Sequence, residues 1–284
     1  MKLVILSFLF VSLQAFYFAE AAQIKWSFTG VNGPSQWKEH YPACKSKQQS
    51  PINIPVFKKE YNSSLKGSLK FTHYSCPCGG DFKMRNTGST LKLYVTTAFA
   101  TLTLQRKERY WLDQIHFHWG SDNTQGSEHR FDKERFPAEI HFVHYNIKYK
   151  QLLEAFNKPS GLAVLGVMVK IGKANPAFNN FLRHINEVRM AGQVHQFPAF
   201  DVETLLPSNT KNFYRYRGSL TTPPCFDHVT WTVFYTPIEI SQEQIEKFRS
   251  LRDSEGKALV NNYRPVQDLN GRPVTSSFHI FLQD

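Results

Sequence analysis

The chain has 284 residues, 41 % hydrophobic and 20 % charged, enough apolar material for one sizeable domain and too much for a disordered or fibrous protein. Its net charge is +11, but the basic residues are scattered. Pairs such as Lys45 and Lys47, or Lys58 and Lys59, build no stripe of the kind that nucleic acid requires.

Taken in order, the chain opens on a segment that is not part of the fold. Lys2 precedes the apolar run Leu3 to Phe18, and Ala19-Glu20-Ala21 then offers small residues where a signal peptidase reads. Residues 1–21 are therefore expected to be a signal peptide, cleaved after Ala21. The run is short for a membrane span, and no second run of spanning length occurs. Phe281-Leu282-Gln283-Asp284 is not the hydrophobic tail of a lipid anchor. The expectation is a soluble, secreted, extracellular protein with one domain over residues 22–284. Export makes the four cysteines candidates for disulfides. It also makes Asn62-Ser63-Ser64 an acceptor for glycosylation at Asn62. Outside the cell the positive charge meets anionic matrix or membrane head groups, although solubility alone is the simpler meaning of the charge.

Strand signals dominate the middle of the chain: Leu91 to Leu104, Tyr110 to Trp119, Ala138 to Asn146, Leu162 to Ile171 and His228 to Tyr235. Leu162 to Ile171 is apolar throughout and is expected at the centre of a sheet covered on both faces. Two helices are predicted. Asn175-Pro176 opens the first, which aligns Phe178, Phe181, Leu182, Ile185 and Val188 and stops at Gly192. Ser241 and Gln244 form a capping box for the second, which buries Ile245, Phe248 and Leu251. The fold class is mainly β.

Alternation along Asp113-Gln114-Ile115-His116-Phe117-His118-Trp119 sends Gln114, His116 and His118 to one sheet face. Eleven histidines in the chain make such a pair an ordinary coincidence. A second run, Ala138-Glu139-Ile140-His141-Phe142-Val143-His144, places Glu139, His141 and Val143 on a common face. A neighbouring strand carrying His141 opposite the pair completes three nitrogen ligands and leaves a fourth position open, as in catalytic zinc sites. Gln114 and Glu139 lie on the faces needed to accept the imidazoles' second N–H. The competing account is a set of core histidines satisfied by polar neighbours. His144 is expected to point away from His141 and bond within the core. His40, His73, His129, His184, His195, His228 and His279 have no partner at ligand spacing.

From Trp26 to Phe278 the sequence resembles an α-class carbonic anhydrase. The resemblance is carried by Gln48-Gln49-Ser50-Pro51-Ile52-Asn53-Ile54, Gln114 to Gly120, Ser127-Glu128-His129, Ala138 to Asn146, Gly161 to Gly166, Gly218 to Pro224 and Val229-Thr230-Trp231. It implies a single domain with a large, mostly antiparallel central sheet and a few peripheral helices. It implies a zinc cofactor (Zn2+) on His116, His118 and His141, and reversible hydration of carbon dioxide to bicarbonate and a proton by zinc-held hydroxide, the work of a carbonate dehydratase (a zinc hydro-lyase). In that scheme Thr221 accepts the hydroxide's hydrogen and donates its own to Glu128. Thr222 contacts substrate or bicarbonate, and Val143, Val164, Leu220 and Trp231 form the apolar wall for carbon dioxide. The resemblance also implies a Cys44–Cys225 disulfide and cis bonds at Ser50-Pro51 and Pro223-Pro224.

The chain departs from the family pattern at a few positions. Ser89 stands where fast members carry a proton-shuttling histidine, so no shuttle is expected here. Phe28 replaces a tyrosine that orders pocket water, and Lys92 replaces a neutral polar residue. Cys76-Pro77-Cys78 sits in a loop most relatives lack. It admits a disulfide-linked dimer through Cys76 or Cys78, a strained local bond, or a second metal site with His73; an oxidising compartment favours the two disulfide forms. The alternative to an enzyme is a catalytically silent, carbonic-anhydrase-like extracellular binding or matrix protein. Silent relatives generally lose a zinc histidine, and this chain keeps all three.

Overall fold

A computed structural model describes residues 26–57, 59–75, 80–95, 100–105 and 107–279. The expected signal peptide, Cys76-Pro77-Cys78 and the C-terminal tetrapeptide lie outside the described residues. Among those described, the strands are β1 (Asn53–Ile54), β2 (Glu60–Tyr61), β3 (Leu69–Thr72), β4 (Asp81–Asn86), β5 (Leu91–Val95), β6 (Thr101–Leu104), β7 (Glu108–Trp119), β8 (Arg130–Phe131), β9 (Ala138–Asn146), β10 (Leu162–Ile171), β11 (Val194–Pro198), β12 (Phe213–Gly218), β13 (Val229–Phe234), β14 (Ile238–Ile240) and β15 (Thr275–Ser276). The α-helices are short: α1 (Trp37–His40), α2 (Leu152–Ala155), α3 (Pro176–Leu182) and α4 (Gln242–Arg249).

One sheet organises the molecule, in the order β11-β4-β5-β7-β9-β10-β13-β12-β15-β2, with β14 on β10 and the β3–β6 pair on β7. Most pairs are antiparallel, as expected; β10 runs parallel to both β13 and β14, and β15 parallel to β2. β10 is central and buried along nearly its whole length, because Val, Leu and Ile fill both of its faces.

The two faces of the sheet bury different layers. Ile115, Phe117, Ile140, Phe142, Leu165 and Val167 join α3 and α4 in the larger, phenylalanine-rich core. Val143, Val164, Trp231 and Tyr216 face the other way with the smaller cluster. β7 carries a bulge at Asp113, between the pairs Leu112–His144 and Gln114–Val143. That extra residue moves the inward-facing positions from Leu112 to Ile115, an odd spacing, and so fixes which face receives His116 and His118.

One expected element is divided, and a second is seen in two parts: Leu91 to Leu104 contains β5 and β6, both antiparallel to β7, and residues 96–99 between them lie outside the described residues. The helix expected to run from Pro176 towards Gly192 ends at Leu182 and resumes as a 3-10 turn, Ile185–Val188. The break lies where the His184 amide bonds back to Phe181, tightening the last turn. Its apolar stripe nonetheless stays buried, because both pieces lie on the same core. α4 has the expected capping box, and Gln244 also binds the Asn175 backbone, tying α4 to the start of α3.

Candidate metal centre

The pairing of the central strands sets side chains from different strands in rows. His116 of β7 lies opposite His141 of β9, and His118 opposite Glu139. One step along, Gln114, Val143, Val164, Trp231 and Tyr216 form a second row across β7, β9, β10, β13 and β12. A row of imidazoles therefore borders a mostly apolar row. The three imidazoles with Gln114, Val143, Val164 and Trp231 floor a cavity of about 190 Å3 whose lining also includes Phe28, Ser89, Lys92, Leu220, Thr221 and Thr222.

Each histidine of the triad has its proton placed by a partner. His116 Nδ1 donates to Gln114 Oε1 at 2.9 Å, His118 Nδ1 to the Asn262 carbonyl at 2.7 Å, and His141 Nε2 to Glu139 Oε1 at 2.8 Å. The nitrogens left with lone pairs converge: His118 Nε2 and His116 Nε2 lie 3.1 and 3.2 Å from His141 Nδ1. Three lone pairs at that range repel unless a cation lies between them. Imidazoles bound tetrahedrally at about 2.0–2.1 Å would stand roughly 3.3 Å apart, so the donor set fits zinc. Burial depresses the basicity of all three. His118 falls to about 3, and at His116 the neighbouring histidines and Lys92 add to the effect. All three are neutral at physiological pH, the form that ligates metal.

Glu139 is the hub beneath the triad. Its Oε1 accepts from His141 and from His129 Nδ1 at 2.7 Å, and its Oε2 from the backbone N–H groups of Glu128 and His129. Burial alone raises a carboxyl; here the electrostatic pull and hydrogen bonds of His129 and His141 overcome it and hold Glu139 well below the usual range. Gly166, opposite His141, makes room for it, since a Cβ there would stand 3.1 Å from Glu139 Oε1.

His129, expected to have no partner at ligand spacing, is fully buried between Glu139 and the Tyr216 hydroxyl, which is 2.7 Å from its Nε2. It belongs to a hydrogen-bonded chain rather than to a second cation site: His129, Glu139 and His141 cluster closely, but both imidazoles donate to the one carboxylate. Spacing along the sequence gives no sign of this, because His129 lies outside any long strand. Asn262 was equally hidden. It clamps the site by accepting from His118 Nδ1 and the Trp119 amide while donating to the Ser89 and Phe117 carbonyls.

Glu128 stands beside the triad, its Oε2 3.5 Å from His118 Nε2, and its Oε1 accepts the Arg264 amide at 2.8 Å. Burial, reinforced by the charge of Glu139, pushes its carboxyl well up, against the opposing hydrogen bond of Thr221. Thr221 lies on the loop joining β12 to β13. That loop is anchored by the Cys44–Cys225 disulfide, by Gln49 donating to the Cys225 carbonyl, and by the Ser219 amide donating to Ser50 Oγ. Both expected cis bonds, Ser50-Pro51 and Pro223-Pro224, are present. His144 turns to the opposite face, as expected, donating to the Ala163 carbonyl and accepting from the Tyr74 hydroxyl. Phe28 packs its edge on His118 at the cavity wall.

Fold and site together define a sheet-borne, three-histidine metal pocket with an apolar wall. A family model for the eukaryotic-type carbonic anhydrase matches residues 32–278, and the chain belongs to that family. It is 39 % identical over 262 residues to human carbonic anhydrase 12, covering 89 % of this chain and 73 % of that one. Dog carbonic anhydrase 6 is 41 % identical over 259 residues (89 % and 80 % covered), and mouse carbonic anhydrase 1 is 37 % identical over 266 residues (90 % and 100 %). The family's cofactor is zinc and its general activity is hydration of carbon dioxide.

Proposed function

We propose that this chain is an active carbonate dehydratase rather than a silent member of its family, with zinc held by His116 Nε2, His118 Nε2 and His141 Nδ1. The observation that carries this reading is the convergence of three lone-pair nitrogens whose second N–H groups are all engaged. When bound, zinc acidifies water and so supplies hydroxide near neutral pH, an effect for which this family is the standard example.

The remaining steps belong to the chain's own side chains. Thr221 accepts the hydrogen of the attacking oxygen and donates its own to Glu128. A carboxylate there can only accept, so the nucleophile is left with a lone pair aimed into the pocket. Glu128 is ionised in this role; a nearby dication favours that form against burial. Val143, Val164, Leu220 and Trp231 hold carbon dioxide, whose lack of charge suits an apolar wall, and Thr222 contacts the bicarbonate product. Gln114 and Glu139 act through the ligands, fixing each ring's tautomer and orientation.

The proton released must leave without a histidine shuttle. Among the described residues lining the cavity, the only histidines are the proposed ligands themselves, and Ser89 is part of that lining. Buffer is the expected carrier.

Export of the chain, with loss of residues 1–21, is supported by the disulfide, which persists in oxidising compartments. No helix among the described residues is long and apolar enough to cross a membrane. Asn62 is partly exposed and caps a turn through its Oδ1, consistent with glycosylation on its amide nitrogen. Loss of the glycan mass in Asn62→Gln tests that point.

The deciding measurement is carbon dioxide hydration by the mature protein before and after chelation. Activity lost on stripping and restored by zinc is expected. A folded, zinc-loaded protein without activity would overturn the reading in favour of a binding protein.

A further inference from the structure

Away from the metal pocket, three adjoining depressions are lined by basic residues. The first, of about 650 Å3, contains Lys70 of β3, Thr103 of β6 and Arg109 of β7, which stand opposite one another across the three strands. Ser68 is shared with a second, of about 480 Å3, which adds Lys66 and Lys107. Gln105 is shared with a third, of about 260 Å3, which adds Arg215, Arg217 and Arg272. Among the described residues, none lining the three is an aspartate or glutamate.

Two buried polar groups on this trough have no hydrogen-bond partner among the described residues. One is Ser68 Oγ, on a residue 3 % exposed; the other is Arg215 Nη2, on a residue 8 % exposed. Arg215 Nε is bonded, to Thr232 Oγ1 at 2.9 Å. The acid that acts on it, Glu108, has its carboxylate engaged by the Tyr110 hydroxyl, and Arg217 beside it adds a like charge. A buried guanidinium nitrogen left without an acceptor is costly, and an anion beside it supplies one.

We propose that this trough binds a linear sulfated polysaccharide, its anionic groups seated in turn on Lys70 and Arg109, on Lys66 and Lys107, and on Arg215 with Arg217 and Arg272. Three anion-accepting depressions in series match a repeating polyanion, whereas a single small ion fills one. A lipid surface does not reach a guanidinium recessed in a depression, and a slender polymer lying along the trough does. This site is separate from the catalytic reading and stands or falls without it.

The test is calorimetric titration of the zinc-loaded mature protein with a size-defined heparin oligosaccharide. Saturable binding that weakens with salt is expected. The combined variant Lys70→Glu, Lys107→Glu and Arg109→Glu should bind at least about tenfold more weakly, with hydration activity unchanged. A control with Lys150, Lys158 and Lys173 changed to Glu should keep its affinity. Absence of binding, or equal loss in both variants, overturns the proposal. So does inorganic sulfate binding as tightly as the oligosaccharide, or tighter binding to phosphatidylserine vesicles. If the trough variant melts early, amine labelling of the unaltered protein answers the same question: Lys66, Lys70 and Lys107 should be shielded by heparin, and unshielded lysines overturn the proposal.

Discussion

Ser89 is the one side chain proposed to set a rate without touching the chemistry. Its hydroxyl lies 3.0 Å from Thr87 Oγ1 at the cavity wall. A hydroxyl does not take up protons near neutral pH, whereas an imidazole does. Ser89→His should therefore raise turnover in weak buffer by about an order of magnitude. Imidazole added to the unaltered protein should raise it as well; stopped-flow hydration across a buffer series reads both effects, and a flat series would remove this account. His144 makes the matching case for stability. Burial lowers it to about 4, with only backbone acceptors opposing. The folded state thus disfavours the charged ring that the unfolded chain accepts below pH 6.5. Its contribution is intact above that pH, shrinks as pH falls, and by pH 4 has cost roughly 3 kcal/mol. Urea unfolding between pH 4 and 7 should show a slope of that sign, to which the triad histidines also contribute, and His144→Gln should reduce it by the share of His144. At this scale the sequence was most legible where alternation applies. His116, His118 and His141, with Gln114 and Glu139, follow from period two along two strands. Asn262 and His129 do not, because their contacts join positions that no local period relates.

At the scale of elements, the site divides between strands and a loop. The proposed metal ligands ride on β7 and β9, paired from Tyr110 to Trp119 with one bulge, while Thr221 rides on the loop between β12 and β13. The Cys44–Cys225 bond spans 181 residues and pins that loop. Replacing both cysteines by serine should cost up to about 5 kcal/mol by chain entropy. It should also lower kcat/KM on the order of tenfold to a hundredfold, through a less fixed Thr221, while zinc remains stoichiometric. Metal analysis alongside kinetics separates the two effects. Ser241→Ala, which removes the cap of α4, should cost about 1 kcal/mol and leave activity unchanged. Element identity was readable from apolar periodicity and from Asn175, Ser241 and Gln244 at helix starts. The bulge at Asp113 and the break after Leu182 were not, because both are local adjustments to the packing of the assembled sheet.

For the whole molecule, zinc is a structural load as well as a cofactor. Lone pairs of His118 and His116 held 3.1 and 3.2 Å from that of His141 favour the bound state. With free zinc about 1,000-fold above its dissociation constant, the metal should stabilise the fold by about 4 kcal/mol. Calorimetric melting of stripped and reloaded protein measures this, and equal melting temperatures would contradict it. Mainly β architecture was visible in the number of strand-like runs. The strand order was not, since pairing partners such as β10 and β13 are far apart in sequence.

The separation of ligand strands from gatekeeper loop bears on how such a protein is assayed. On the proposed assignment, a preparation with a damaged loop would still pass every test of metal content, because all three proposed ligands lie on the sheet. Full zinc occupancy certifies the sheet; only turnover certifies the loop.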